Sequence, residues 1–213
     1  MWLFVVLAVC VVRLLWLIQS HRKSPVLENP HQGNQFKIMV VLGSGGHTTE
    51  ILRLVKPLIE SKQKQLKFML VVANTDHTSV PRIASILGSD FTYDLFRIPR
   101  IRHVGDSLLT AIFRLPLTLL AALRILYSTL PDVIITNGPG TCLPVIFASL
   151  ALEFLAVSPL TVRVFVESFC RVTSISHTGK LVYRFVDSFI LQWRPTAEIS
   201  AKYPKAKYLG VLI

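Results

Sequence analysis

The chain has 213 residues, 52% of them hydrophobic and 16% charged, with 23 Lys and Arg against 12 Asp and Glu. That much apolar material excludes a disordered or coiled-coil protein and indicates a folded core of one or two domains together with membrane contact. The net charge of +11 favours a polyanionic partner, while three scattered cysteines (Cys10, Cys142, Cys170) make neither a disulfide framework nor a zinc site and point to a reducing compartment.

Trp2 to Ile18 is apolar except for Arg13 and reaches about 25 Å as a helix, the short end of what spans a bilayer. His21, Arg22 and Lys23 follow it. With no positive charge before the run and no small-residue cleavage site after it, residues 1–23 read as a signal anchor. The basic flank then places the remaining chain on the cytosolic side. An amphipathic helix lying in the interface is the alternative. Residues 24–36, holding Pro25, Pro30, Gly33, Asn29 and Asn34, read as a linker to a single domain over 37–213.

Within that domain, Lys37–Leu42 is a short apolar run ended by glycines, the pattern of a strand buried on both faces. Helical spacing through Ile51, Leu52 and Val55 predicts a helix from Thr48 to Lys56, which Pro57 bends or ends. Phe68–Ala73 is a second buried strand, and Phe91–Phe96 alternates imperfectly, as an edge strand does. Val133–Ile135, Val162–Val166 and Ser188–Leu191 are three more. Strands alternating with helices predict an α/β fold, a doubly wound, Rossmann-like, mostly parallel sheet covered on both faces. Ligands of such sheets bind at the carboxyl ends of strands, where the strand order reverses.

Leu108–Leu130 is apolar but broken by Arg114, Pro116 and Arg124, and a basic cluster of Arg97, Arg100, Arg102 and His103 precedes it. The arginines make a second membrane span costly. A helix lying on the membrane, its arginines toward phosphates, and an ordinary helix of the domain remain open.

Three loops carry chemistry. Gly43-Ser44-Gly45-Gly46-His47-Thr48-Thr49-Glu50 follows the first strand and opens a helix, so glycine backbone and the positive helix end suit a diphosphate. No Gly-Lys-Ser/Thr follows, so it is not a Walker loop; Thr48 replaces the third glycine of a dinucleotide fingerprint; Leu42 replaces the first glycine of a hydrolase elbow. His47, in the first helical turn, is placed as a neutral imidazole that accepts a proton. Asn137-Gly138-Pro139-Gly140-Thr141 repeats the design after a later strand, and Glu167-Ser168-Phe169-Cys170-Arg171 ends another with a carboxylate and a guanidinium. No D-x-D pair and no H-x-x-x-H spacing supplies metal ligands, so neither metal nor cofactor is expected. Nucleic acid is excluded as partner, since no RNP, zinc-finger or helix-turn-helix signature accompanies the charge.

Together with Tyr203-Pro204-Lys205 and Tyr208-Leu209-Gly210, these loops resemble, from about Ile38 onward, the membrane-anchoring subunit of the two-subunit N-acetylglucosaminyltransferase of the dolichol pathway. The resemblance implies a single-pass endoplasmic reticulum protein facing the cytosol, forming the acceptor-binding half of a GT-B glycosyltransferase. A soluble subunit would supply the half that binds UDP-N-acetylglucosamine. The pair would add the second N-acetylglucosamine to the dolichyl-diphosphate-linked acceptor, releasing UDP. On that reading His47 or Glu167 takes the proton from the acceptor hydroxyl, or the partner supplies the base. Ser44, Gly45, Gly46, Thr48, Asn137, Gly138, Gly140, Thr141 and Arg171 hold the acceptor diphosphate. Arg97, Arg100 and Arg102 meet membrane lipid. Tyr208, Leu209, Val211, Leu212 and Ile213, an apolar run with nothing later to cover it, dock the partner. The rival is a scaffold that recruits the partner without sharing its active site.

Overall fold

The computed structural model describes residues 2–23, 35–61, 66–101 and 108–212. In chain order the elements are α1 (Trp2–Lys23), β1 (Phe36–Val41), α2 (Gly46–Glu60), β2 (Leu66–Ala73), α3 (Ser79–Leu87), β3 (Asp94–Ile98) and α4 (Leu108–Thr129). They continue with β4 (Val133–Thr136), α5 (Cys142–Phe154), β5 (Val162–Val166), α6 (His177–Val182), β6 (Ser188–Leu191), α7 (Ala197–Lys202) and β7 (Ala206–Tyr208). The strands form one sheet in the order β3-β2-β1-β4-β5-β6-β7, every neighbouring pair parallel. This is the doubly wound, Rossmann-like α/β fold expected, and its order reverses between β1 and β4.

Alternation along the strands divides the core. Ile38, Val40 and Leu42 share one face with Ile51 and Val55 of α2 and Ile83 of α3. Met39, Val41 and Ile134 face the other way, with Leu126 of α4 and Val145 of α5. Both faces are thus covered, which is why the central strands are apolar without interruption. Arg163 is the exception, 2% exposed inside β5. It bonds Glu153 of α5 at 2.9 Å and lies 3.5 Å from Asp187, just before β6. A charge buried this deeply is tolerated only when paired.

Several boundaries differ from the sequence pattern. Phe36 belongs to β1 rather than to the linker, whose residues 24–34 lie outside the described ones. Pro57 does not end α2, which runs through it to Glu60; in the last turn the missing N–H forfeits only one bond. The edge strand starts at Asp94, not Phe91, because Phe91 packs on Phe68 and stacks on Tyr93, with ring centroids 5.4 and 5.5 Å apart. Edge position itself is as expected, and it leaves Arg97 exposed in β3 and Arg100 half-buried after it. Arg102 lies outside the described residues.

α4 is buried toward its end. Ala122 and Leu126 are buried against α5, whereas Phe113 and Leu117 nearer its start are 81% and 61% exposed. α1 packs on α5: Arg13 donates to the carbonyls of Glu153 and Phe154 at 2.6 and 3.1 Å, which caps the C-terminal end of α5. Trp2, Val12 and Leu15 of α1 stay exposed. Among the described residues no helix is long and apolar enough to cross a membrane.

The C-terminal apolar run lies beyond the last strand. The strand is Ala206–Tyr208, paired with β6, and Gly210 (φ 86°) turns the chain away after it. Leu209 to Leu212 therefore form no strand; backbone N–H groups of Leu209 and Leu212 reach only Leu191 O (3.3 Å) and Gln192 Oε1 (3.4 Å). Tyr208, Leu209 and Val211 are exposed, and Ile213 lies outside the described residues.

Candidate active site at the β1–β4 switch point

β1 and β4 are neighbours whose connections run to opposite sides of the sheet, so the loops after them flank one crevice. The first loop turns at Gly45, where φ is 67°. Glycine offers no side chain to cap α2, and the exposed Ser44 and Gly46 line the approach to that helix end. An uncapped helix N-terminus with open backbone is where an anion binds.

The two glycine loops meet on His47. A Cβ on Gly138 would stand 2.8 Å from His47 Cε1, and one on Gly43 would stand 2.8 Å from His47 Cβ and 2.9 Å from Pro139. All three contacts are closer than carbon atoms approach, so these glycines are what let the imidazole sit between the loops. Asn137 ties them further, donating to His47 O at 2.9 Å. The imidazole is half-exposed. Its Nδ1 makes no hydrogen bond, nor do the buried Asn137 Oδ1 and Thr141 Oγ1. Buried polar atoms left unpaired, as Asn137 Oδ1 and Thr141 Oγ1 are, are uncommon in folded proteins, and a polar ligand would supply their partners.

Other residues singled out by sequence hold the loops instead. Thr48 is buried, and its hydroxyl bonds Gly43 O and Ser79 Oγ. Ser79 and Thr78 in turn serve Asp76, which accepts from both hydroxyls and both backbone N–H groups. Burial pushes the Asp76 carboxyl up, but these hydrogen bonds outweigh it and hold the group below the usual carboxylate range. Arg82 reaches Gly45 O at 3.1 Å and braces the loop from α3.

Glu167 is placed differently from His47. It is 1% exposed, and its carboxylate accepts from Ser168 N, Ser176 N and Ser176 Oγ at 3.0, 2.9 and 3.1 Å. Burial raises its pKa, offset in part by Ser176, Ser168 and Arg171. Gly179 packs against it so closely that a Cβ would meet Oε2 at 2.6 Å. Arg171 itself is exposed, its guanidinium 3.5 Å from Ser174 Oγ, and Gly140 is open to solvent.

Glu50 is the site residue that sequence reasoning missed. Its Oε1 accepts from Ser168 Oγ at 3.0 Å and its Oε2 from Asn137 Nδ2 at 3.3 Å, while Oε2 stands 3.7 Å from His47 Nδ1. One carboxylate thereby touches all three loops. The available signal was its place one helical turn after His47, on the same face of α2.

Residues 38–212 match the family described as Oligosaccharide biosynthesis protein Alg14 like. The UDP-N-acetylglucosamine transferase subunit ALG14 of Rattus norvegicus is 36% identical over 97% of this chain and 94% of its own length. That of Yarrowia lipolytica is 33% identical over 98% and 95%. Among solved structures, MurG of Acinetobacter baumannii superposes with a TM-score of 0.56 at 15% identity, over 82% of this chain and 45% of that one. A UDP-N-acetylglucosamine 2-epimerase gives 0.53, also at 15% identity, over 80% and 45%. Likeness at this identity concerns the fold: this chain corresponds to less than half of those proteins.

Proposed function

The chain belongs to the Alg14-like oligosaccharide biosynthesis family, and from that membership we propose that it is the membrane subunit of a UDP-N-acetylglucosamine transferase. It anchors a soluble catalytic subunit to the cytosolic face of the endoplasmic reticulum and binds the N-acetylglucosaminyl-diphospho-dolichol acceptor. The observation that carries this reading is the convergence of two glycine loops on His47 at the point where strand order reverses. Loop backbone, the N-terminus of α2 and the exposed Arg171 are a chemistry suited to diphosphate. This chain corresponds to 45% of a solved structure that shares its fold, and this supports a separate donor-binding partner.

Of the two candidate bases, exposure and bonding favour His47. Glu167 has its lone pairs committed to Ser168 and Ser176, and it orders the loop after β5. In the reaction the acceptor hydroxyl oxygen bonds to the anomeric carbon of UDP-N-acetylglucosamine, the bond from that carbon to the diphosphate breaks, and UDP leaves with the electron pair. The hydroxyl proton passes to the imidazole. α1, with its basic flank in the sequence, and the exposed Phe113 and Leu117 of α4 support a membrane-facing side, beside the exposed Arg97 of the β3 edge.

Transfer of N-acetylglucosamine from its UDP conjugate to the lipid acceptor, measured with and without the soluble partner, tests this. His47→Ala should leave partner capture intact and lower turnover by roughly 10²–10⁴. Wild-type turnover in a folded, partner-bound His47→Ala complex would remove the histidine from the chemistry and favour the recruiting scaffold.

A further inference from the structure

We propose that Glu50 is a positioning residue for His47: its carboxylate holds the imidazole in the tautomer and orientation that aim Nε2 at the acceptor hydroxyl. This rests on the reading of His47 as the proton acceptor. Three observations carry it. Glu50 Oε2 is 3.7 Å from His47 Nδ1, and no other atom among the described residues bonds that nitrogen. A carboxylate on that side favours Nδ1–H and leaves Nε2 with its lone pair, the division of labour a histidine base requires. The carboxylate is itself fixed from two further elements, by Ser168 Oγ at 3.0 Å on Oε1 and Asn137 Nδ2 at 3.3 Å on Oε2. A group anchored in this way orients another side chain instead of following it.

The separation of 3.7 Å is long for a hydrogen bond, as in many catalytic pairs that tighten when substrate arrives. On the β4 side the ring packs close to Gly138, where a Cβ would stand 2.8 Å from Cε1. Asn137, whose amide also bonds His47 O, couples the second glycine loop to the same carboxylate. Acceptor binding at either loop therefore bears on one histidine.

Glu50→Gln keeps the shape and removes the charge, and the complete two-subunit complex is the material to test. The expected result is a kcat lower by roughly ten- to a hundredfold, part of the ~10²–10⁴ that a general base supplies, with KM for the lipid acceptor unchanged. The double variant His47→Ala/Glu50→Gln should be no slower than His47→Ala, because the glutamate acts only through the ring. If Glu50→Gln compounds the loss in the His47→Ala background, or raises KM with kcat unchanged, Glu50 serves loop architecture and the proposal falls. Wild-type kcat in Glu50→Gln alongside a slow His47→Ala also overturns it while leaving His47 as base. A fast His47→Ala overturns both. Should Glu50→Gln lose partner capture, Glu50→Asp, which retains the charge and withdraws it from Nδ1, is put through the same cycle with the same expectation.

Discussion

His47 occupies the space that a side chain at position 138 would need, and Gly138 holds a φ of 50° that other residues seldom adopt. Gly138→Ala should therefore act twice, straining the turn and pushing the imidazole from the crevice. The expected outcome is a loss of turnover approaching that of His47→Ala with partner capture retained; normal turnover in a pull-down-competent variant would show that the ring has another place to go. Asp76 supports the neighbouring loop through Ser79, whose oxygen also meets the Thr48 hydroxyl. Its folded pKa lies below 3.8, so its stabilisation is fully present above that value and disappears as pH falls through the lowered one. Asp76→Asn should cost about 1–3 kcal/mol near neutral pH by leaving buried donors poorly served. Urea unfolding of wild type and variant should show that gap narrowing below pH 3.8, whereas a gap constant with pH would assign the stability to shape and not to charge.

At the scale of elements, the two ends of the chain behave differently. β7 is an edge strand of the domain's own sheet, and Tyr203 beside it packs edge-on to Tyr183 with ring centroids 4.9 Å apart. The residues after β7 contribute little to the fold: Leu209 and Val211 are more than half and half exposed, at 57% and 50%. Removing residues 211–213 should leave the sheet protease-resistant and the chain membrane-bound while the soluble partner, and with it activity, is lost. Burying even two such side chains offers about 3–6 kcal/mol before association costs, enough to decide capture. Capture at wild-type level by the truncated chain would place the interface elsewhere. α1 differs in that it is tied to the domain, Arg13 capping α5 and stacking 4.4 Å over Trp16. The arginine that interrupts an otherwise apolar segment is thus spent on the domain.

For the molecule as a whole, apolar surface is unevenly spread. Trp2 and Val12 of α1, Phe113 and Leu117 of α4, Leu155 after α5, and Leu181 and Phe185 at α6 are all exposed, and α1, α4, α5 and α6 belong to the side of the sheet opposite α2 and α3. Apolar exposure gathered on one side of the sheet is what a contact surface requires. Deleting residues 1–23 should therefore weaken flotation with anionic vesicles without abolishing it. Adding Phe113→Ser and Leu117→Ser should release the remainder. Complete release by the deletion alone would confine membrane contact to α1.

Sequence by itself determined what depends on neighbours along the chain. Apolar runs at Ile38–Leu42, Phe68–Ala73 and, but for Arg163, Val162–Val166 specify strands buried on both faces, and glycines after strands specify tight loops at their carboxyl ends. Parallel strands, double winding and the crevice follow from that alternation. Tertiary structure alone decided what depends on groups brought together from afar. Glu50 is an unremarked helical glutamate until β4 and β5 deliver Asn137 and Ser168 to it. Glu167 gives no sign in the sequence that the turn at Ser176 and Gly179 closes over its carboxylate. Arg163 is a charge in an apolar strand until Glu153 and Asp187 arrive to pair it. For Glu50 and Arg163 the partners come from other elements, and local pattern carries no information about them.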